Sequence, residues 1–102
     1  MINVKEYKGF NIFFEALEED MSVSELFPED TEEQIKEIEE NNVVFCARVS
    51  AVKNGIELAS DFLGGCVYKN EEEFYTAEGC YFDDMVNTVV TEAKECIKKL
   101  NG

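Results

Sequence analysis

A chain of 102 residues, 45% of them hydrophobic, is long enough to bury one modest core and too short for two ordinary domains. Its 23 acidic and 9 basic residues give a net charge of −14, which opposes binding to nucleic acid or to an anionic membrane and favours encounter with basic surfaces. Histidine is absent, which excludes histidine-dependent catalysis and zinc–histidine sites. We expect residues 1–102 to form a single acidic domain.

The N-terminal pattern predicts a β-hairpin. Hydrophobic and polar residues alternate over residues 4–7 and 10–17, and Lys8-Gly9 supplies the turn between them. The even-numbered residues of the second strand share one apolar face, which we expect to be buried. Phe13 falls on the opposite, mixed face, where it is either covered by a helix or exposed to a partner.

The next segment predicts two short helices. Ser22 is followed by Glu25 and Thr31 by Gln34, and each pair has the spacing of a capping box that opens a helix. Pro28 ends the first helix, and the second runs to about residue 40. The second helix offers only two isoleucines to the core, so most of its surface faces solvent.

Negative charge is concentrated in residues 15–40, hereafter the acidic segment. It contains twelve acidic residues and one lysine, and therefore −11 of the total charge of −14. Acidic residues recur every three or four positions in the second helix, and like charges at this spacing destabilise a helix by a few tenths of a kcal/mol per pair. We therefore predict that the segment is a partner-binding surface. It comprises a predicted stripe of Glu29, Glu33, Glu37 and Glu40, helped by Glu18, Glu19 and Asp20.

A second hairpin is predicted over residues 43–52 and 56–63, because two β-rich runs flank Asn54-Gly55, a strong signal for a two-residue turn. A regular ladder from this turn pairs Arg48 with Asp61. The same register directs four large side chains to the core beneath the last helix: Phe45, Val49, Leu58 and Phe62.

The C-terminal pattern predicts a long amphipathic helix from about residue 82, because its hydrophobic residues recur at helical spacing as far as Leu100. A short helical turn precedes it, capped by Asn70 and ended by Gly79. The chain is therefore predicted to be an α+β protein. We expect an antiparallel sheet of about four strands in two hairpins, backed by the C-terminal helix, with an acidic helical insertion between the hairpins.

The remaining residues predict a binding protein without a cofactor or metal, and not an enzyme, because no catalytic or phosphate-binding motif is found. The N-terminus lacks the pattern of a secretory signal, and no apolar run approaches the roughly 20 residues of a membrane span. We expect a cytoplasmic protein without a membrane partner and with reduced thiols. The four cysteines are Cys46, Cys66, Cys80 and Cys96.

A small acidic domain of β-hairpins and one long helix, without a catalytic motif, resembles the phage- and plasmid-encoded inhibitors of the anti-CRISPR type. The resemblance covers the chain in general character and transfers no functional residues. It implies a stoichiometric inhibitor, in some cases a nucleic-acid mimic, that binds a basic effector such as a Cas nuclease, whose nucleic-acid channel is rich in Lys and Arg. The alternative is an acidic accessory or antitoxin-like module whose partner does not handle nucleic acid. With either function, we expect the protein not to bind nucleic acid directly.

Overall fold

The computed structural model describes residues 1–76 and 81–101. The strands form one antiparallel sheet in the order β1-β2-β3-β4, and the last helix packs across β3 and β4. The α+β prediction is confirmed: two hairpins form the sheet, a long C-terminal helix backs it, and helices lie between the hairpins. The elements described are β1 (Ile2–Tyr7), β2 (Phe10–Leu17), α1 (Val23–Leu26), α2 (Glu32–Asn41), β3 (Val43–Lys53), β4 (Ile56–Tyr68), α3 (Glu73–Thr76) and α4 (Tyr81–Asn101).

Both hairpins close through two-residue turns, as predicted. The turn residues have positive φ angles, 52° and 87° at Lys8 and Gly9 and 54° and 77° at Asn54 and Gly55. Positive φ at both central residues is typical of a type I′ turn, whose twist matches the twist of the flanking strands. Asn and Gly adopt this conformation at little cost, whereas Lys8 adopts it against the steric preference of an L-residue.

The core lies between α4 and one face of the sheet. Phe74 of α3 joins it, with its ring centroid 5.5 Å from that of Phe14 and 6.2 Å from that of Phe82. The remaining buried side chains come from alternate strand positions and from one stripe of α4, which is the arrangement that the periodicities predict. They are Phe10, Ile12 and Phe14 of β2; Phe45, Ala47, Val49 and Ala51 of β3; Cys66 of β4; and Phe82, Met85, Val86, Val89, Val90 and Ala93 of α4.

β4 departs from a regular ladder near its start. Ala51 pairs with Ala59, whereas a regular ladder from the turn pairs it with Leu58. Leu58 is therefore an extra residue on β4, which is a β-bulge. Because strand residues alternate between the two faces, this one-residue shift exchanges the faces of the residues that follow.

The exchange of faces corrects two predictions. Arg48 pairs with Phe62 and not with Asp61, so the predicted pairing of Arg48 with Asp61 is wrong. Phe62 lies on the sheet face opposite α4 with 56% of its surface exposed, so its predicted burial beneath the last helix is wrong as well. The strand faces predicted for Phe45 and Val49 are confirmed, since both are buried against α4.

A second irregularity lets β4 continue past its predicted end at residue 63. Ala47 pairs with Leu63 and Phe45 with Cys66, so two glycines of β4 oppose a single residue of β3. This second bulge brings Cys66 to the core face, where it is 4% exposed. The strand then runs on to Tyr68.

Candidate partner-binding surface

Three residues of the predicted stripe share one side of α2. Glu33, Glu37 and Glu40 are exposed, and helical spacing places them opposite the half-buried Ile35 and Ile38. No side chain of α2 is fully buried, and the helix packs chiefly against α1. Glu33, Glu37 and Glu40 are hereafter the acidic helix face.

Side chains cap both ends of α2. The backbone N–H of Gln34 donates to Oγ1 of Thr31 at 3.3 Å, and the N–H of Thr31 donates to Oε1 of Gln34 at 2.9 Å, which confirms the predicted capping box. At the other end, the side-chain amides of Asn41 and Asn42 donate to the carbonyl oxygens four residues earlier, at 2.8 and 3.1 Å. The helix is therefore held by its caps more than by burial.

The charges of α2 are unfavourable to the helix that carries them. Glu32 and Glu33 suit its N-terminus, but Glu39 and Glu40 lie in the last turn, which has no basic residue. A carboxylate near the negative end of the helix dipole costs about 0.3–1 kcal/mol. Throughout the described residues, every salt bridge lies outside α2: Lys5 with Asp83, and Arg48 with Glu15 and with Glu57. Lys36, the one lysine of α2, is three residues from Glu33 and four from Glu40 but forms no salt bridge with either, so the acidic helix face and this lysine together keep a net charge of −2.

Glu29 does not continue the acidic helix face. It is exposed, but it lies in the turn between α1 and α2. The helical spacing begins only after Thr31, whose backbone is extended, with φ −72° and ψ 162°. The predicted place of Glu29 on the helical stripe is therefore wrong, although it remains an exposed carboxylate near the N-terminus of α2.

The three acidic residues after β2 differ in their surroundings. Glu18 and Asp20 are exposed, whereas Glu19 is half-buried. Oε2 of Glu19 accepts a hydrogen bond from the N–H of Gly65 at 2.5 Å, and Oε1 accepts one from the N–H of Met21 at 3.2 Å. These bonds, the one from Gly65 above all, hold the pKa of the Glu19 carboxyl below its usual value. Glu19 is thus hydrogen-bonded within the chain, whereas the side chains of Glu18 and Asp20 are exposed to solvent.

Gly65, in the second bulge of β4, also provides the surface against which α1 packs. Its φ of 69° favours glycine, and a Cβ at this position would lie 3.1 Å from Cδ2 of Leu26. Val23 of α1 is 4% exposed. Beyond the end of β2, the acidic segment is therefore attached to the sheet through Glu19 and α1. The one signal of this attachment in the sequence is the Gly-Gly pair in a strand, which indicates a bulge or a close approach of backbone.

On the sheet face opposite α4, Arg48 lies beside Phe62, a contact that the regular ladder did not predict. The guanidinium carbon Cζ of Arg48 lies 5.9 Å from the ring centroid of Phe62. Arg48 also forms salt bridges with Glu15, at 3.9 Å, and with Glu57. Phe13, expected to be covered or exposed on this face, is half-buried.

The thiols of Cys46, Cys66 and Cys96 are free. Burial raises the pKa of Cys66, and burial together with the negative charge of Glu19 raises the pKa of Cys46, so both thiols are poor nucleophiles at neutral pH. Cys80 and the predicted helix end at Gly79 lie outside the described residues. Within residues 1–76 and 81–101, no group of three or more acidic or cysteine side chains is arranged to hold a metal ion.

Comparison with protein-family models, with curated proteins and with solved structures finds no match, so the function is inferred from the surface itself. No helix among the described residues combines the length and the apolar character needed to cross a membrane. The features that distinguish the surface are the uncompensated acidic helix face and the exposed Phe62 on the opposite side of the sheet from α4.

Proposed function

We propose that the protein is a stoichiometric inhibitor that binds the basic, nucleic-acid-binding surface of a nuclease or a similar effector, such as a Cas nuclease. The observation that carries this proposal is the acidic helix face. Its three carboxylates are exposed, have no salt-bridge partner among the described residues, and repel one another at a spacing of three or four residues. A basic surface relieves this repulsion on binding.

The charge density of α2 is close to that of a nucleic-acid strand. The helix has ten residues and is therefore about 15 Å long, and five of them are glutamates. With Lys36 counted, α2 carries a net charge of −4, or one negative charge per roughly 4 Å, which compares with one phosphate per about 3.4 Å along one strand of duplex DNA. Three of the glutamates lie in one row, the acidic helix face, so a groove of Lys and Arg that fits a phosphate backbone meets a row of anions about 5–6 Å apart on α2. This row supports nucleic-acid mimicry as the mode of inhibition.

In this proposal the protein performs no catalysis and does not bind nucleic acid itself. Its net charge of −14 repels a polyanion and accelerates encounter with a basic groove at low salt. The alternative is an accessory or antitoxin-like module whose partner does not handle nucleic acid. The observation that favours it is the exposed Phe62, an apolar side chain available for contact with a protein. The two functions differ in one measurable respect, because only the mimic competes with nucleic acid.

A competition titration tests the proposed function. Labelled DNA or RNA is bound to purified effectors, including Cas nuclease–guide complexes, and the protein is added while fluorescence anisotropy is recorded. We expect release of the nucleic acid with about one protein per effector, and slower inhibition when the effector is loaded with nucleic acid first. A partner that binds the protein and nucleic acid at the same time would support the accessory module instead.

A further inference from the structure

The sheet face opposite α4 presents apolar side chains to solvent. Phe62 is 56% exposed and Met1 is 62% exposed, while Phe13 and Val52 are half-buried. In the ladder, β2 and β3 place Phe13 beside Ser50, and β3 and β4 place Arg48 beside Phe62. These residues are neighbours on one side of the sheet, hereafter the aromatic face.

The aromatic face contains a shallow hollow of about 360 Å³ next to the exposed ring of Phe62. Arg48 connects the two features, since it lines the hollow and also lies over the Phe62 ring at 5.9 Å. An apolar floor beside a projecting ring suits the side chain of a partner protein. The hollow is lined by Met1, Phe13, Arg48, Val52, Gly55 and Glu57.

The charges around the aromatic face favour a basic occupant. Arg48 is already engaged by Glu15 and Glu57, and Met1, which lines the hollow, adds the positive charge of its α-amino group. Glu6 pairs with Asn11 on the same side of the sheet and is exposed. The three carboxylates therefore outnumber the two positive groups by one. A second copy of the chain would set the same carboxylates against each other and would join two molecules of charge −14. Complementary charge therefore selects a partner with Lys or Arg around its apolar contact.

We propose that the aromatic face is a second docking surface, which takes an apolar side chain flanked by Lys or Arg on a partner protein. The apolar side chain packs in the hollow and against Phe62, and the basic side chains pair with Glu57 and Glu15. This inference rests on the proposed function, because it assigns a further contact to the same basic partner. The acidic helix face attracts that partner over a distance, and the aromatic face adds apolar burial after contact.

Two peptides of equal charge test the inference. One repeats Lys-Leu-Lys-Lys and the other repeats Lys-Ser-Lys-Lys, and each is titrated into the 15N-labelled protein. We expect the leucine peptide to shift the amide signals of Phe13, Val52 and Phe62, and to bind at least about fivefold more tightly than the serine peptide. Phe62→Ser should remove this advantage, whereas Leu100→Ser, which removes an exposed apolar side chain from α4, should preserve it.

The outcomes separate this inference from the proposed function. Equal affinities of the two peptides, or an advantage of leucine that survives Phe62→Ser, would overturn the docking role of the aromatic face. Shifts of the Phe13 and Phe62 signals with protein concentration alone would also overturn it, because they would show that a second copy occupies the face. The serine peptide tests the charge interaction alone. If it leaves the amide signals of α2 unchanged, the proposed attraction between the acidic helix face and a basic partner is wrong, whatever the result for the aromatic face.

Discussion

The carboxylate of Glu19 accepts a hydrogen bond from the backbone N–H of Gly65, a residue 46 positions further along the chain. This bond ties the start of the acidic segment to the second bulge of β4. Leu26 packs against the same glycine. The second bulge of β4 thus provides the contacts that position α1 against the sheet, and α2 follows from α1.

The Glu19–Gly65 bond predicts a pH dependence. A carboxyl whose pKa is lowered on folding contributes stability that is present above its unfolded pKa, near 4.5, and is lost as the pH falls through its folded pKa. We expect the free energy of unfolding of the native protein to be larger than that of Glu19→Gln at about pH 7. This difference should become smaller as the pH falls towards about 3. Urea unfolding of both proteins across this range measures the difference, and a difference that stays constant with pH would contradict the account.

The bulge at Leu58 predicts which phenylalanine side chains contribute to the free energy of unfolding. Phe14 is 1% exposed and packs against the rings of Phe45 and Phe74, so Phe14→Ala should cost about 3–5 kcal/mol. Phe62→Ala removes a largely exposed side chain and should cost less than about 1 kcal/mol. Denaturant unfolding under one set of conditions gives both values. A cost of about 3 kcal/mol or more for Phe62→Ala as well would indicate a regular ladder in which Phe62 faces the core.

Ser50 predicts a stabilising substitution. Its side chain is 1% exposed, and its hydroxyl has no hydrogen-bond partner among the described residues. An unsatisfied buried polar group costs about 1–3 kcal/mol, so Ser50→Ala should raise the free energy of unfolding by roughly 1 kcal/mol. Ser60→Ala is the matched control, because Ser60 is its half-buried partner in the ladder. A loss of stability in Ser50→Ala would show that the hydroxyl has a partner after all.

α2 should open independently of the sheet. It has no fully buried residue and its like charges repel, whereas Val49 of β3 lies in the core. We expect the amide of Ile38 to exchange with solvent through local opening, far faster than that of Val49. Added salt should slow exchange at Ile38, because it screens the repulsion, and should affect Val49 little. Equal protection of the two amides would mean that α2 unfolds only with the whole domain.

Much of the fold could be predicted because its signals are local. Lys8-Gly9 and Asn54-Gly55 specify tight turns, Thr31 and Gln34 specify a helix start, and the apolar period of α4 specifies its buried stripe. Each of these signals involves residues close together in sequence.

The register of β4 could not be predicted in this way. A bulge at Leu58 depends on how the whole sheet twists beneath α4. The residues around Leu58 carry no sequence signal that would predict it. The acidic surface was predictable as a concentration of charge, but its details were not. The bond that occupies Glu19 joins distant residues, and the extended backbone of Thr31 separates Glu29 from the helix.

The central claim is that the acidic helix face binds a basic, nucleic-acid-binding surface. Its most direct test is the affinity of Glu33→Gln/Glu37→Gln/Glu40→Gln for an effector that the native protein inhibits. The matched control is Glu71→Gln/Glu72→Gln/Glu92→Gln, which removes the same charge from exposed residues elsewhere. We predict that the first variant binds at least about tenfold more weakly, a loss of about 1.4 kcal/mol, and that the control loses much less. Equal affinities of the two variants would contradict the claim, because charge alone, and not its place on α2, would then govern binding.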